Sequence, residues 1–216
     1  MTDKRRRRLP RSVREQEIID AALGVFSKRG YRAAVVDEIA DLAGISKPMV
    51  YLYLGSKEGL FIACVRRESQ RLAAAFREAA QAGDSPEQRL WAGLGAFFAF
   101  VAEHRDSWVV LHRQAPEQGE AIAQEIADAR RSVMAEVNGL VRDGITKGGE
   151  ADRLGEQEAD FVAHALVGAA DSLTDWMERH PGEPPERVTV RLMNVMWVGM
   201  RNVLVGEVWV PPQHDA

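Results

Sequence analysis

The chain has 216 residues, of which 46% are hydrophobic and 28% charged, an ordinary soluble globular balance with enough apolar mass for a substantial core. No stretch approaches the ~18 consecutive apolar residues of a membrane-spanning helix, and no apolar signal core follows the basic N-terminus. Cys64 is the only cysteine, which excludes an intramolecular disulfide framework and a four-cysteine zinc site, so a reducing, cytoplasmic setting is expected. The net charge of −4 conceals an asymmetry: residues 1–60 carry a balance of +4 and the remainder −8, which places any polyanion binding at the N-terminal end.

Apolar spacings of three and four run along nearly the whole chain and alternation of period two is almost absent, so the expected fold class is all-α. Residues 1–11 (MTDKRRRRLPR) are charged and low in complexity and are expected to form a basic disordered arm. A first helix should start near Ser12 with Glu15 as capping-box partner, bury Ile18, Ile19, Ala22, Leu23 and Phe26, and end at Gly30.

From Val35 to Leu54 the spacing is that of a helix-turn-helix. Ile39, Ala43, Ile45, Val50 and Tyr53 fill the inner angle between two short helices, and Ala40 lets the second cross closely over the first. Gly44 stands where the connecting turn needs a positive φ, and Ser46 is placed to cap the second helix. Such a second helix enters a DNA major groove.

Ser56 should then cap a fourth helix running to about Ala82, before the break Gly83-Asp84-Ser85-Pro86. A helix over Pro86–Glu103 follows, with Leu90, Trp91, Leu94, Phe97, Phe98 and Val101 inward. A short segment Ser107–Arg113 and the Ala115-Pro116 break lead to a long helix reaching about Lys147, which Gly148-Gly149 closes. Two more helices are expected over about Glu156–Arg179 and Pro185–Val205, with an irregular tail from Pro211 and no internal repeat.

The pattern Ala22-Leu23…Phe26…Gly30-Tyr31, then Asp37-Glu38-Ile39-Ala40…Ala43-Gly44-Ile45-Ser46-Lys47, then Tyr51…Tyr53…Ser56-Lys57-Glu58…Leu60-Phe61 resembles the TetR family of bacterial transcriptional regulators. The close match spans Ser12–Phe61, and Gly144…Gly149…Asp160…Leu166-Val167-Gly168…Leu173…Trp176 resembles the family's C-terminal helices more loosely. The resemblance implies an all-helical homodimer whose C-terminal domain binds a small molecule and controls DNA affinity. It also implies domains of 12–72 (DNA-binding, with the helix-turn-helix at 35–54) and 73–210 (regulatory and dimerising). The sequence departs from the pattern in three ways. Ala34 and Val35 stand where a capping Thr or Ser is usual, an omission that costs ~1 kcal/mol unless Asp37 or a backbone turn compensates. Met49 replaces a usual Thr, and Leu52 occupies a position often polar or aromatic.

The expected DNA contacts are Ser46, Lys47, Pro48, Met49, Tyr51, Leu52, Tyr53 and Lys57. Lys47 can reach a guanine edge or a phosphate, whereas Pro48 and Met49 offer apolar surface to a thymine methyl. Tyr51 and Tyr53 are expected to pack their rings inward and reach phosphate with their hydroxyls. Lys57, at the start of the fourth helix, resembles the family's phosphate-clamping lysine. The Arg5-Arg6-Arg7-Arg8 run could track a minor groove or phosphates, or remain a solvated tail adding non-specific affinity.

In the C-terminal part, Trp91, Phe98, Trp108, His112, Met134, His164 and Trp176 are the candidate lining of a site for an apolar or aromatic small-molecule effector, with ordinary helix packing as the competing account. Gln114 and Asp171 are further candidate anchors. His164 follows Asp160 by four residues, a spacing that suits an ordinary helix-face pair better than a metal site. Phe161, Ala165 and Ala169, with Leu192, Met196, Met200 and Val203, form apolar stripes on the last two helices and are the expected dimer interface, with Val195, Gly168 and Gly199 nearby. A two-fold dimer suits a palindromic double-stranded operator. No nucleophile–base pair, metal-ligand cluster or glycine-rich phosphate loop stands out, so no enzymatic activity, metal or cofactor is expected. The expected function is a sequence-specific regulator, a repressor released by ligand. A helical carrier or enzyme retaining the fold, or a ligand-independent DNA-binding protein, stands as the alternative.

Overall fold

The computed structural model describes residues 10–114, 119–147 and 156–204. They form α1 (Arg11–Ala33), α2 (Val36–Leu42), α3 (Lys47–Leu54), α4 (Lys57–Gln81), α5 (Pro86–Glu103), the short α6 (Arg105–Trp108) running into a π-helical segment (Val109–Gln114), α7 (Gly119–Lys147), α8 (Glu156–Arg179) and α9 (Pro185–Leu204). No strand occurs among the described residues, and the fold is all-α. The start of the N-terminal arm, the Ala115-Pro116 break, the Gly148-Gly149 stop and the tail from Pro211 lie outside the described residues.

The first helix starts earlier than the serine signal suggests. Pro10 takes the N-cap position with extended backbone and no side-chain cap bond, so the Ser12–Glu15 box does not form. Proline tolerates a helix start because the missing N–H has no intrahelical partner there. Arg14 instead pairs with Glu17 at 2.6 Å. Gly30 breaks the helix at φ 76°, and the chain turns on to Ala33.

Two compact units divide the molecule. One takes the described residues up to Arg71 together with His104–Ala129, and the other takes Leu72–Glu103 with the described residues from Arg130 onward. The sequence boundary between residues 72 and 73 lies one residue from the first of these cuts. The return of 104–129 to the first unit is absent from a linear reading.

In the first unit, Ile18, Ile19, Ala22, Leu23 and Phe26 of α1 meet Ile39, Ala40, Val50, Leu60 and Phe61 in one core, and Val110 and Ile122 close it from the returning segment. Phe61 meets Phe26 edge-on at 4.9 Å and Tyr31 at the same separation. Ser27 Oγ donates to Asp106 at 2.7 Å, and Arg66 forms a two-pronged pair with Glu125.

In the second unit, α5 packs against α8 and α9. A reciprocal cap starts α5: the Gln88 N–H donates to Ser85 Oγ, and the Asp84 and Ser85 N–H groups donate to Gln88 Oε1. Leu90, Leu94, Phe98 and Val101 are buried as expected, but Trp91 is 47% exposed. The helical period places Trp91 on the flank of the buried stripe rather than inside it.

Candidate nucleic-acid interface

The α2–α3 corner is built by backbone hydrogen bonds that its sequence makes possible. At the end of α2 the Gly44 N–H donates to Asp41 O (3.1 Å) and the Ile45 N–H to Ala40 O (3.0 Å), with Gly44 at φ 64°. This is a Schellman closure, which needs the left-handed residue that glycine supplies without strain. Ile39, Ala40 and Val50 are buried at the crossing, and Ala43, Ile45 and Tyr53 pack around them.

Ser46 occupies the N-cap of α3 as expected, but its side chain makes no cap bond. Its carbonyl accepts from the Met49 and Val50 N–H groups, and Pro48 in the first turn has no N–H to satisfy. At α2, Val35 stands at the cap with no side-chain bond, and Asp37 does not compensate because its carboxylate is engaged elsewhere. The α3–α4 turn depends on Gly59, where a Cβ would lie 2.4 Å from Leu54 O. That glycine lets the Gly59 N–H reach Ser56 Oγ at 2.9 Å, the expected cap of α4.

The outward face of α3 is largely apolar. Ser46, Lys47, Pro48, Met49, Tyr51 and Leu52 are all exposed, with Leu52 at 67%. The two tyrosines differ. Tyr53 packs on the core, as expected, whereas the Tyr51 ring lies outside it, because α3 turns its side chain away from the α1 crossing. Lys47 Nζ is held 2.8 Å from Asp37 Oδ2, and that hydrogen bond, with the carboxylate charge, raises the lysine pKa. Lys57 Nζ donates to Arg32 O at 3.1 Å and lies 5.0 Å over the Tyr31 ring, while partial burial lowers its pKa.

Two residues absent from the expected contact set stand at this face. Asp37 controls where the Lys47 ammonium rests, and Arg11 places its guanidinium carbon 5.3 Å above the Tyr53 ring. The signal for Asp37 was an opposite charge ten residues before Lys47, a separation that only the turn brings together. Arg11 was assigned to the arm, but it belongs to the first turn of α1.

The candidate ligand residues are divided between the two units. Trp108 and His112 stack at 4.7 Å in the first unit, while Trp91, Phe98, Met134, His164 and Trp176 belong to the second. Phe98 is fully buried against Phe97, and Trp176 stacks on His180 at 4.1 Å. His164 is exposed, with Nδ1 2.8 Å from Asp160 O along its own helix, and Asp171 pairs with Arg130. Packing already occupies the buried rings, and the exposed ones do not line the groove of about 500 Å³ in the second unit. That groove is flanked by the ion pairs Arg77–Glu136 and Arg89–Asp143. Among the described residues no group of three or more His, Cys, Asp or Glu could hold a metal ion, and no helix is long and apolar enough to cross a membrane.

The expected dimer residues also separate. Phe161 and Ala165 are exposed, Ala169 and Met196 are half-buried, and Leu192 is only 5% exposed because it faces the interior of its own unit. Among the described residues of α9 the exposed apolar ones are Val190, Val195 and Val198, with Gly199 beside them, so the exposed apolar strip differs from the expected one. The side chains of Met200 and Val203 lie outside the described residues.

Residues 18–64 match the family described as bacterial regulatory proteins, tetR family, and residues 86–199 match the tetracyclin repressor-like C-terminal domain. The chain belongs to the TetR family. It is 30% identical over 203 residues to the HTH-type transcriptional activator FasR of Mycolicibacterium smegmatis, covering 93% of this chain and 89% of that protein. A TetR-like transcriptional regulator from Rhodococcus sp. RHA1 has 37% identity and a TM-score of 0.74, over 90% of this chain and 99% of that one. FadR of Bacillus subtilis, solved in complex with stearoyl-CoA, shares the fold at 19% identity and a TM-score of 0.73, over 90% of this chain and 99% of that one. TetR-family regulators bind DNA and function as dimers, and ligand-responsive repression is typical of them. This TetR-family protein is a DNA-binding transcriptional regulator.

Proposed function

We propose that this regulator is a homodimer that represses from a palindromic operator and is released by an apolar small molecule bound to its second unit. The observation that carries the dimer is the outward apolar strip of α8 and α9. Phe161 is 73% and Val195 72% exposed, flanked by Ala165, Gly168, Val198 and Gly199. Large apolar side chains beside small ones form a surface on which two helices from each copy pack closely about a two-fold axis. The two recognition helices then meet successive major grooves about one helical turn apart.

The base contacts in this reading come from Lys47, Pro48, Met49, Tyr51 and Leu52, with Ser46, Tyr53 and Lys57 positioning the phosphates. Met49 and Leu52 favour thymine methyl groups over a hydrogen-bonded code. An effector shifts operator affinity only as far as it prefers one arrangement of the units over the other. Stearoyl-CoA, the molecule named with B. subtilis FadR, is an apolar chain with an anionic head and is the first effector to test.

Binding-site selection with purified protein, followed by anisotropy titration of the selected duplex with and without effector, tests the proposal. A palindrome whose binding weakens on adding effector supports it. Binding tightened by the effector favours a second reading, a ligand-dependent activator, to which the activator FasR of M. smegmatis points. A monomer in sedimentation at micromolar concentration, or selection of no palindrome, overturns the dimeric operator reading.

A further inference from the structure

In the first unit, or head, Gly24 stands where its own chain gains nothing from a glycine. It lies inside α1 between Leu23 and Val25, and a Cβ built there meets nothing within 4 Å. Gly30, by contrast, breaks the helix at φ 76°. Glycine inside a helix destabilises it relative to alanine. A helical glycine that relieves neither clash nor strain is explained by a close approach from outside the chain.

Gly24 opens into a groove of about 960 Å³ between α1 and α2. Its floor is apolar, with Ala21, Val25, Ala43 and Leu42, the last 65% exposed. The rim is charged but largely neutralises itself, with Arg14 on Glu17 and Arg29 on Glu38. Two further rim charges face outward. Lys28 is exposed and has no ion-pair partner among the described residues. The Asp20 side chain is 69% exposed, with Oδ1 2.8 Å from Arg67 Nη1 and its other oxygen able to accept. Asp20 and Lys28 stand four residues either side of Gly24, each roughly 6 Å from it along the helix and on the same face.

A guest of single charge satisfies one end of this row and opposes the other. A second α1, turned about a two-fold axis through Gly24, satisfies both. Lys28 of the second copy then meets Asp20, Asp20 of the second copy meets Lys28, and the paired glycines let the backbones cross closely. We propose that this face joins two copies of the chain, the head of one DNA-bound dimer docking antiparallel on the head of the next, Gly24 to Gly24. Neighbouring operators are then occupied cooperatively. Cooperative occupation rests on the palindromic-operator reading, whereas the contact between heads does not.

The test compares the full chain with Gly24→Leu, which fills the groove without crowding its own chain, and with Lys28→Glu and Asp20→Lys, each of which gives the row a single sign. Binding is followed by gel shift on duplexes carrying one selected operator, or two at spacings stepped by single base pairs over one turn. On the best two-site duplex the full chain should bind its second dimer roughly 10-fold more tightly than its first, because a shared duplex sets a millimolar effective concentration. Gly24→Leu should keep the single-operator affinity and the helical content but lose that gain. Each charge variant should lose the gain alone. An equimolar mixture of the two should regain part of it, since each supplies the sign the other lacks. Without DNA, sedimentation towards millimolar concentration should show the full chain, but not Gly24→Leu, associating beyond its micromolar state.

An equal two-site gain in Gly24→Leu overturns the contact, as does no gain at any spacing together with no association. Association without a two-site gain overturns cooperative occupation alone. A mixture that regains nothing overturns the two-fold charge pairing. Tighter single-operator binding by Gly24→Leu overturns the link between dimers in favour of the heads of one dimer pairing with each other away from DNA. If no palindrome is selected, the operator reading fails by itself, and the association without DNA still decides the contact between heads.

Discussion

The two units handle the same helical periodicity differently. In the first, stripes from α1, α2, α3 and α4 converge, and Ile18, Phe26, Ile39, Val50, Leu60 and Phe61 are almost completely shielded. In the second, α8 and α9 each bury one side and leave another facing outward. On α8, Ala163 and Leu166 are inside while Phe161 and Ala165 are outside; on α9, Leu192 and Met193 are inside while Val195 and Val198 are outside. Periodicity gives the direction of a stripe, but its width decides whether one chain can cover it. The first unit covers its stripes from within the chain, whereas α8 and α9 leave Phe161, Val195 and Val198 exposed, the surface on which the proposed dimer rests.

The largest expected effect tests the closed core. Phe61→Ala removes a ring packed at 4.9 Å against both Phe26 and Tyr31, with no solvent-exposed surface to lose. A buried Phe→Ala change costs about 3–5 kcal/mol through lost transfer energy and a residual cavity. Urea unfolding followed by circular dichroism should register that loss, with operator binding lost at temperatures where the native protein is folded. A cost below about 1 kcal/mol would mean that the head is looser than its ring contacts indicate.

The open surface gives the next effect. Phe161→Asp with Val195→Asp places two carboxylates on the exposed strip, where they disturb little within a single chain. Sedimentation should then show a monomer of unchanged helical content, and operator affinity should fall roughly 100-fold or more because each head is held alone. Leu192→Asp is the opposing control: its site is buried, so helicity should fall as well. A doubly substituted protein that remains dimeric would place the interface elsewhere.

These contrasts explain how much could be read from the sequence. The helix order, the Gly44 turn and the Ser56 cap were legible because each depends on residues within a few positions of one another. The fold of the head follows from those local signals and from the spacing of Ile39, Ala40 and Val50. Leu192 and Val195 were not separable, since three residues along one helix can fall on either side of an interface. Trp91, Trp108 and Trp176 share their chemistry, but Trp108 belongs to the first unit, where it stacks on His112, and the other two to the second, where Trp176 stacks on His180. The Asp37–Lys47 and Arg11–Tyr53 pairs are non-local and could be seen only after folding.

Cys64 sharpens the comparison from inside the head. It is fully buried, its Sγ lies 3.8 Å from Ile19 O, and burial pushes its thiol pKa up against the opposing pull of Arg67. The unfolded thiol ionises near ~8.5, so above that pH the unfolded chain binds fewer protons than the folded one. The stabilisation is therefore complete below about pH 8.5 and is lost as pH rises, by roughly 1.4 kcal/mol per pH unit at most. Urea midpoints between pH 8 and 10 should fall faster for the native protein than for Cys64→Ala. The folded protein should also resist a thiol reagent at pH 8 until it unfolds. Rapid modification under native conditions would show that the core opens.

The smallest effect concerns how tightly the head reads DNA rather than whether it folds. Asp37 brings a negative charge to the exposed side of the α2–α3 corner and holds the one cation of α3. If the pair survives in the complex, Lys47 displaces no counterion, and Lys47→Ala leaves the salt slope unchanged. If Lys47 exchanges its carboxylate for a phosphate, the same substitution lowers the slope by about 1. The 2.8 Å bond and the raised lysine pKa favour a pair that persists. Asp37→Asn should then tighten binding a few-fold, more on random duplex than on the operator, and steepen the slope by about 1 as Lys47 becomes available to phosphate. Both residues are exposed, so thermal unfolding should barely move. Weaker binding by Asp37→Asn on both duplexes would instead make the carboxylate a required support for the α2–α3 corner. The apolar face of α3 would then be read through a rigid charged hinge rather than a guarded cation.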